Sequence, residues 1–343
     1  MSADESPNSI LVYVGLDRVG DSLLKLPFVR GLRQAYPDAH ITWLAGKDTS
    51  VYASIMAPVV NGLIDEVIEH PGAVEGKRGG IGLSPKELLR RPLGGQAFDL
   101  VIDTQKVAIA TLILFRIRHK KFVSPFGNFI LSSKKPPKDY KFPKLMQRQM
   151  LDLLEITTGQ SFPTPFQLEI DLDPILIEAA RAALPDGPSY IGLSPGAGGL
   201  PKCWPLEKFI ELARQQVSLG RQPVFILGPQ ELDWHKEIAA AVPEALFPLQ
   251  DKGLGAVHKF APALTMALAQ RLALAVSNDS GTGHMFATGG AKLISLFGRT
   301  VPEKFTPMAA SLTIIRAQDY GGREMHFIPV ETVAEAIEAV LAG

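Results

Sequence analysis

Three short stretches of this sequence concentrate residues able to do chemistry. The first, GLDRVGD at residues 15–21, carries two carboxylates, Asp17 and Asp21, around a cation, Arg18. Gly20 lets the chain turn tightly there. A carboxylate at the mouth of a cleft can take a proton from an incoming hydroxyl, and Asp21 and Asp17 are rivals for that task. Asp21 can equally cap the following helix, a contribution of about 0.5–2 kcal/mol. The second stretch, SPGAGGLPKCWP at residues 194–205, runs from Ser194 through Gly196, Gly198 and Gly199 to Lys202. Glycines so closely spaced let main-chain N–H groups approach an anion, and the lysine adds a point charge suited to phosphate. The third, NDSGTGH at residues 278–284, offers N–H and hydroxyl donors from Ser280, Gly281 and Thr282 at the start of a helix. Asp279 precedes them at a strand end, and His284 falls on the first helical turn.

Each stretch also has a plainer reading. Lys202 can be a solvated lysine, His284 a structural side chain, and Trp204 core packing rather than a stacking platform. Asp279 with His284 suggests a metal, but no third ligand lies at recognisable spacing, so no metal is expected. Ser280 sits in D-S-G-T-G rather than the G-x-S-x-G of a hydrolase nucleophile. The glycine stretch matches neither G-x-x-x-x-G-K-[ST] nor G-x-G-x-x-G.

The elements that must position these loops follow from hydrophobic patterning. Short apolar runs at residues 10–15, 40–44, 66–69 and 99–103 read as buried parallel strands. Leu24, Phe28, Leu32 and Tyr36, spaced by four, form the apolar stripe of a helix that ends at Pro37. Residues 71–96 read as a long loop with one helical turn at 85–90. Residues 134–144 hold three prolines and cannot be regular structure, and residues 145–155 read as a helix. A composition shift at residues 157–172 marks an interdomain region. A second series follows: strands at 190–193, 223–227, 272–277 and 292–297, and helices at 206–217, 231–241, 263–271, 281–288 and 331–341. The alternation predicts an α/β chain of two Rossmann-like domains, 1–165 and 166–343, the second with a closing C-terminal helix. Such units bind ligands at the carboxyl ends of their strands, here facing a cleft.

The 343 residues suit two domains, and 46% hydrophobic with 20% charged residues suits a sizeable core. Thirty-five basic residues balance 35 acidic ones, which argues against a dedicated nucleic-acid binder. The balance is uneven: residues 1–170 carry a net +4 and residues 171–343 a net −4. Within residues 116–148, ten basic residues face one acid, Asp139. That segment, with Lys120, Lys121, Lys134 and Lys135, is a candidate contact for an anionic acceptor or an anionic membrane surface, or a solvated, disordered loop. One cysteine, Cys203, fits a reducing compartment. No basic-then-apolar leader opens the chain, and no apolar run approaches the roughly 20 residues of a membrane span. The expected location is the cytoplasm, peripheral to a membrane at most.

With the loops in this order, the chain resembles glycosyltransferase family 9, the bacterial ADP-heptose:lipopolysaccharide heptosyltransferases. The carriers are ILVYVGLDRVGDSLLKLPFVRGLRQAYPDAHITWL, FDLVIDTQ, GLSPGAGGLPKCWPLEKFIELA, FILGPQEL and VSNDSGTGHMFATGGAKLISLFGRTVPEKFTP. The resemblance implies a GT-B architecture, with a nucleotide-sugar donor in the C-terminal domain and an acceptor facing the N-terminal one. It implies inverting transfer without a metal or other cofactor. Residue by residue, it implies that Asp21 is the general base and that Lys202 neutralises the leaving diphosphate. It implies that Glu231 contacts the ribose and that Asp279, Ser280, Gly281 and His284 line the diphosphate and sugar. Asp17, Arg18 and the basic segment fall on the acceptor side. Cys203, Arg299 and Val301 depart from the family's usual residues. A nucleotide-sugar 2-epimerase or a catalytically silent nucleotide-sugar binder are the alternatives.

Overall fold

The computed structural model describes residues 6–46, 49–69, 92–250, 254 and 261–343. The chain divides into two compact units, Met1–Thr164 and Pro165–Gly343.

In the first unit the chain runs β1 (Ser9–Val14), α1 (Val19–Ala35), β2 (His40–Ala45), β3 (Glu66–Ile68), β4 (Ala97–Asp103), α2 (Ala108–Phe115), β5 (Arg118–Val123) and α3 (Met146–Thr158). Its five strands pair in the order β3-β2-β1-β4-β5, all parallel. Strand β1 is central and its Ile10–Val14 side chains are buried, which is why it reads as an unbroken apolar run. The chain leaves β1 toward β2 and β3, then crosses to β4 on the other side. The loops after β1 and β4 therefore flank the topological switch point, where ligands bind in such sheets.

The second unit runs α4 (Pro174–Ala183), β6 (Tyr190–Ser194), α5 (Leu206–Ser218), β7 (Gln222–Phe225), α6 (Trp234–Ala241), α7 (Pro262–Ala269), β8 (Leu274–Asn278), α8 (Gly281–Thr288), β9 (Leu293–Phe297), α9 (Pro302–Phe305), β10 (Leu312–Arg316) and α10 (Val330–Ala342). Its sheet order is β10-β9-β8-β6-β7, again parallel. Here the switch point lies between β6 and β8, and those two strands feed the glycine loop and the NDSGTGH loop. Two apolar clusters pack on the faces of this sheet. One gathers Trp204, Phe209 and Phe225 with Ile337 of α10, and the other gathers Leu264, Leu268 and Phe286.

The structure corrects several expectations. Five elements escape the hydrophobic pattern: α2, β5, α4, α9 and β10. Strand β5 reads RHKKFV because it is an edge: Arg118 and Lys120 are exposed, and only Phe122 and Val123 are buried. Charged side chains on an edge strand discourage pairing with another chain. The start of the basic segment is thus a strand rather than a disordered loop. Strand β10 is the opposite edge of its own sheet, with only Ile315 buried. Helix α6 begins at Trp234, so Glu231 sits in the turn before it. The helical turn expected at 85–90 and most of the 71–96 loop lie outside the described residues. No described helix is long and apolar enough to cross a membrane.

Candidate active site

In the second unit one buried side chain ties the two switch-point loops together. Asn278, at the end of β8, is fully buried. Its amide nitrogen donates to the Pro195 carbonyl at 2.7 Å, and its oxygen accepts from the Trp204 N–H at 2.9 Å. Trp204 in turn donates its indole N–H to the Ile328 carbonyl at 3.0 Å and packs edge-on to Phe209. Trp204 is therefore core, and its burial anchors the end of the loop that carries Lys202. Removing the Asn278 amide orphans a buried N–H and a buried carbonyl, so Asn278→Ala is expected to cost about 1–3 kcal/mol or more. A lowered denaturant midpoint at unchanged slope would record it.

With the loop so held, Lys202 reaches Asp279, 77 residues away in sequence. Its Nζ lies 3.2 Å from Asp279 Oδ2; the lysine side chain is 44% exposed and the aspartate 9%. An ion pair this exposed contributes little to stability, so the ammonium can turn to a phosphate at small cost. Gly199 adopts φ +147°, which only glycine takes easily, and it sets the short turn that presents Lys202. Gly198 is exposed, and a side chain there would meet no other part of the chain.

Glu231 closes the other side of the glycine loop. A Cβ at Gly196 would lie 2.4 Å from its carboxyl carbon, and one at Gly228 would lie 2.7 Å from Oε2. Both glycines are thus required by the carboxylate lying between them. Burial pushes the Glu231 carboxyl up from its ordinary value, while the Gly228 N–H donates to it and opposes the rise.

Ser280 stands at the N-cap of α8 in extended geometry without capping the helix, and its hydroxyl is buried with no partner. Native structures rarely leave such a group unmatched. Gly283 lets the first turn of α8 close on β8, since a Cβ there would lie 2.5 Å from Ser277 Oγ. Gly281 and Thr282 sit half-buried on the same turn. His284 is buried, and burial pushes its pKa down to about 4 against the pull of Asp279, so the imidazole is neutral near pH 7. The Lys202 ammonium, an unsatisfied hydroxyl and the N–H groups of a helix start gather donors suited to an anion around Asp279. Ser194 itself is buried at the end of β6 and positions the loop.

In the first unit, Asp21 is not the cap of α1. Arg18 occupies the N-cap, exposed, and Asp21 is the third helical residue, whose carboxylate accepts from the Arg18 N–H. Asp21 is half-buried. Burial pushes its pKa up, Lys25 pulls it down and Asp17 pushes it up again. Asp17, expected beside the acceptor, is instead interior. It accepts from Lys25 Nζ and Trp43 Nε1 at 3.0 Å each, and from the Ser50 hydroxyl. Both carboxylate oxygens are engaged, and the residue is buried. Asp103, at the end of β4, was not singled out in the sequence. It accepts from Thr111 and Ser124 hydroxyls at 2.6 and 2.8 Å and from the Gln105 N–H at 2.9 Å, and burial pushes its pKa up to about 6. It binds the β4 end to α2 and β5, and it holds Gln105 against Gly15.

The lysines expected at the acceptor are not gathered at Asp21. Lys120 pairs with Asp99 at 2.8 Å, and Asp99 accepts from the Asn8 and Ser9 N–H groups at the amino end of β1. Asp21 follows the carboxyl end of that strand, and the six residues of β1 span about 16 Å at strand rise. Lys121 is in register with Leu100, near the same end. Lys134 donates to the Thr157 carbonyl at 2.9 Å, satisfying the last turn of α3. Lys135 is exposed. Of the departing residues, Arg299 pairs with Glu324 at 2.9 Å, Val301 is exposed, and the Cys203 thiol lies 3.7 Å from the Gly199 carbonyl. Among the described residues no group of three His, Cys, Asp or Glu could hold a metal ion.

Comparison with known proteins finds relatives along nearly the whole chain. Lipopolysaccharide heptosyltransferase 3 of Escherichia coli is 26% identical over 345 residues, covering 94% of this chain and 95% of that protein. Lipooligosaccharide heptosyltransferase 2 of Haemophilus influenzae is 24% identical over 321 residues, covering 89% and 88%. The solved structure of E. coli ADP-heptose lipopolysaccharide heptosyltransferase II superposes with a TM-score of 0.69 at 21% identity, covering 97% of this chain and 98% of that one. The model of the family "Glycosyltransferase family 9 (heptosyltransferase)" matches residues 87–327, so this chain belongs to that family and is a glycosyltransferase.

Proposed function

We propose that this enzyme transfers heptose from ADP-heptose to a lipopolysaccharide-core acceptor, inverting the anomeric centre and needing no metal. The observation that carries the reading is the Lys202–Asp279 pair set beside the unpartnered Ser280 hydroxyl at the start of α8. These groups would receive a diphosphate. Glu231, buried against Gly196, would accept from ribose hydroxyls, and the neutral His284 would hydrogen-bond without adding charge. Asp21 would take the proton of the acceptor hydroxyl as it attacks the anomeric carbon from the face opposite the diphosphate. Charge on the leaving group then grows against Lys202 and the α8 N–H groups. That electrostatic help should outweigh the acid–base contribution. Lys202 fills the role a divalent cation could play, so activity should persist in chelator. The donor and acceptor identities are supported by the relatives, which are named for lipopolysaccharide or lipooligosaccharide heptosyltransfer. Arg18 and the exposed Lys135 remain the proposed acceptor contacts. We place the reaction in the cytoplasm, where a lipid-anchored acceptor would bring the enzyme to the membrane's inner face.

The test is an assay with ADP-heptose and a panel of core-truncated lipopolysaccharides. Acceptor-dependent ADP release, with one heptose added in inverted configuration, is expected. Acceptor-independent nucleotide release with an isomerised sugar would mean epimerase chemistry instead, and no turnover with any acceptor would mean a silent binder.

A further inference from the structure

The loop between β1 and α1 holds a charge arrangement that a general base alone does not require. Lys25 follows Asp21 by four residues on α1, one turn along the same face. Its ammonium is nevertheless out of solvent, with a side chain only 5% exposed. It donates to Asp17 Oδ1 at 3.0 Å and to the Leu16 carbonyl at 2.6 Å. The other oxygen of Asp17 is claimed by Trp43 Nε1 and the Ser50 hydroxyl. Tyr52 packs edge-on to Trp43 at 5.4 Å and donates to the Ser22 carbonyl at 2.6 Å, sealing the far side. The cation is thus bonded to one carboxylate, Asp17, locked in the interior, while the second, Asp21, lies one helical turn before it at the edge. Stability does not explain the pair, because well-packed apolar side chains usually replace a buried ion pair without loss.

We propose that Lys25, held by Asp17 and the Leu16 carbonyl, is a positioning residue that fixes the β1–α1 loop and keeps Asp21 ionised for the acceptor hydroxyl. The proposal rests on Asp21 being the general base. Among the described residues the charged groups acting on Asp21 are Lys25, Asp17 and Arg18; Tyr52 faces Asp17 from the neighbouring turn, and Arg30 acts on Tyr52. Lys25 and Asp17 act on Asp21 with opposite sign, Lys25 pulling its pKa down and Asp17 pushing it up. The base works only when ionised, so activity rises with pH through the Asp21 pKa.

The experiment is the pH dependence of kcat/KM for wild type, Asp21→Asn, Asp17→Asn, Lys25→Met and the Asp17→Asn/Lys25→Met double variant, each checked for folding by thermal melting. Lys25→Met is expected to move the acid limb up by roughly one pH unit, and Asp17→Asn to move it down. The double variant should fall between them. Comparing Asp17→Asn with the double variant isolates the Lys25 charge even if Lys25→Met fails to fold, since the limb should still move up between those two. A purely structural pair would lower the rate at every pH without separating the limbs, and that result, with Asp21→Asn inactive, would overturn the proposal. An active Asp21→Asn would instead remove the base assignment itself.

Discussion

Asp21→Asn should lower turnover by about 10²–10⁴-fold, the usual contribution of a positioned general base, and leave donor affinity unchanged. The asparagine oxygen can still accept from the Arg18 N–H, so the start of α1 should survive. What it cannot do is take a proton. In wild type, burial pushes the Asp21 pKa above the ordinary carboxylate value, so the acid limb of kcat/KM should lie above the range of a free aspartate. That limb should vanish in the variant. Steady-state kinetics with ADP-heptose and the accepting lipopolysaccharide, beside calorimetry of ADP binding, would separate the two effects. Full turnover in Asp21→Asn would remove Asp21 from the chemistry. The rival carboxylate, Asp17, is closed off by three donors, so a base role cannot simply pass to it.

Lys202→Ala should act on both binding and turnover. A charge-assisted hydrogen bond to a phosphate is worth about 1.5–3 kcal/mol, or roughly 10–100-fold in donor affinity. The loss in kcat should be larger, about 10²–10³-fold, because negative charge on the diphosphate grows as the glycosidic bond breaks. The variant also leaves Asp279, only 9% exposed, as an unpaired carboxylate facing an anion. Lys202→Ala/Asp279→Asn should therefore recover part of the lost affinity but little of the lost turnover. Titrating ADP into each variant checks the first half and single-turnover kinetics the second. Equal ADP affinity in wild type and Lys202→Ala would place the diphosphate elsewhere.

Much of this was legible in the sequence because parallel strands are buried on both faces and so read as unbroken apolar runs. The strands at the centre of each sheet, β1, β4, β6, β8 and β9, are of this kind. Two of the four edges are not legible: β5 exposes Arg118 and Lys120, and β10 buries only Ile315, so neither keeps an apolar pattern, whereas the other two edges, β3 and β7, still read as short apolar runs. Helix α2 reads AIATLILF over residues 108–115, and with no polar face it shows no helical period. The site divides in the same way. Its glycine-rich loops are visible because glycine punctuates a strand end. Its long-range partners are not: nothing local to Lys202 announces Asp279, and nothing local to Asn278 announces Pro195 and Trp204. Lys25 reads like any helical lysine, and only the fold shows it buried against Asp17 and the Leu16 carbonyl.

The central claim is that the loops after β6 and β8 hold a nucleoside-diphosphate sugar. Calorimetric titration of wild type with ADP, UDP, GDP and ADP-heptose tests it most directly. ADP-heptose binding that exceeds the other ligands, weakens in Lys202→Ala and survives in Asp21→Asn is the predicted result. Binding of none of the four, or ADP-heptose binding indifferent to Lys202, would contradict it.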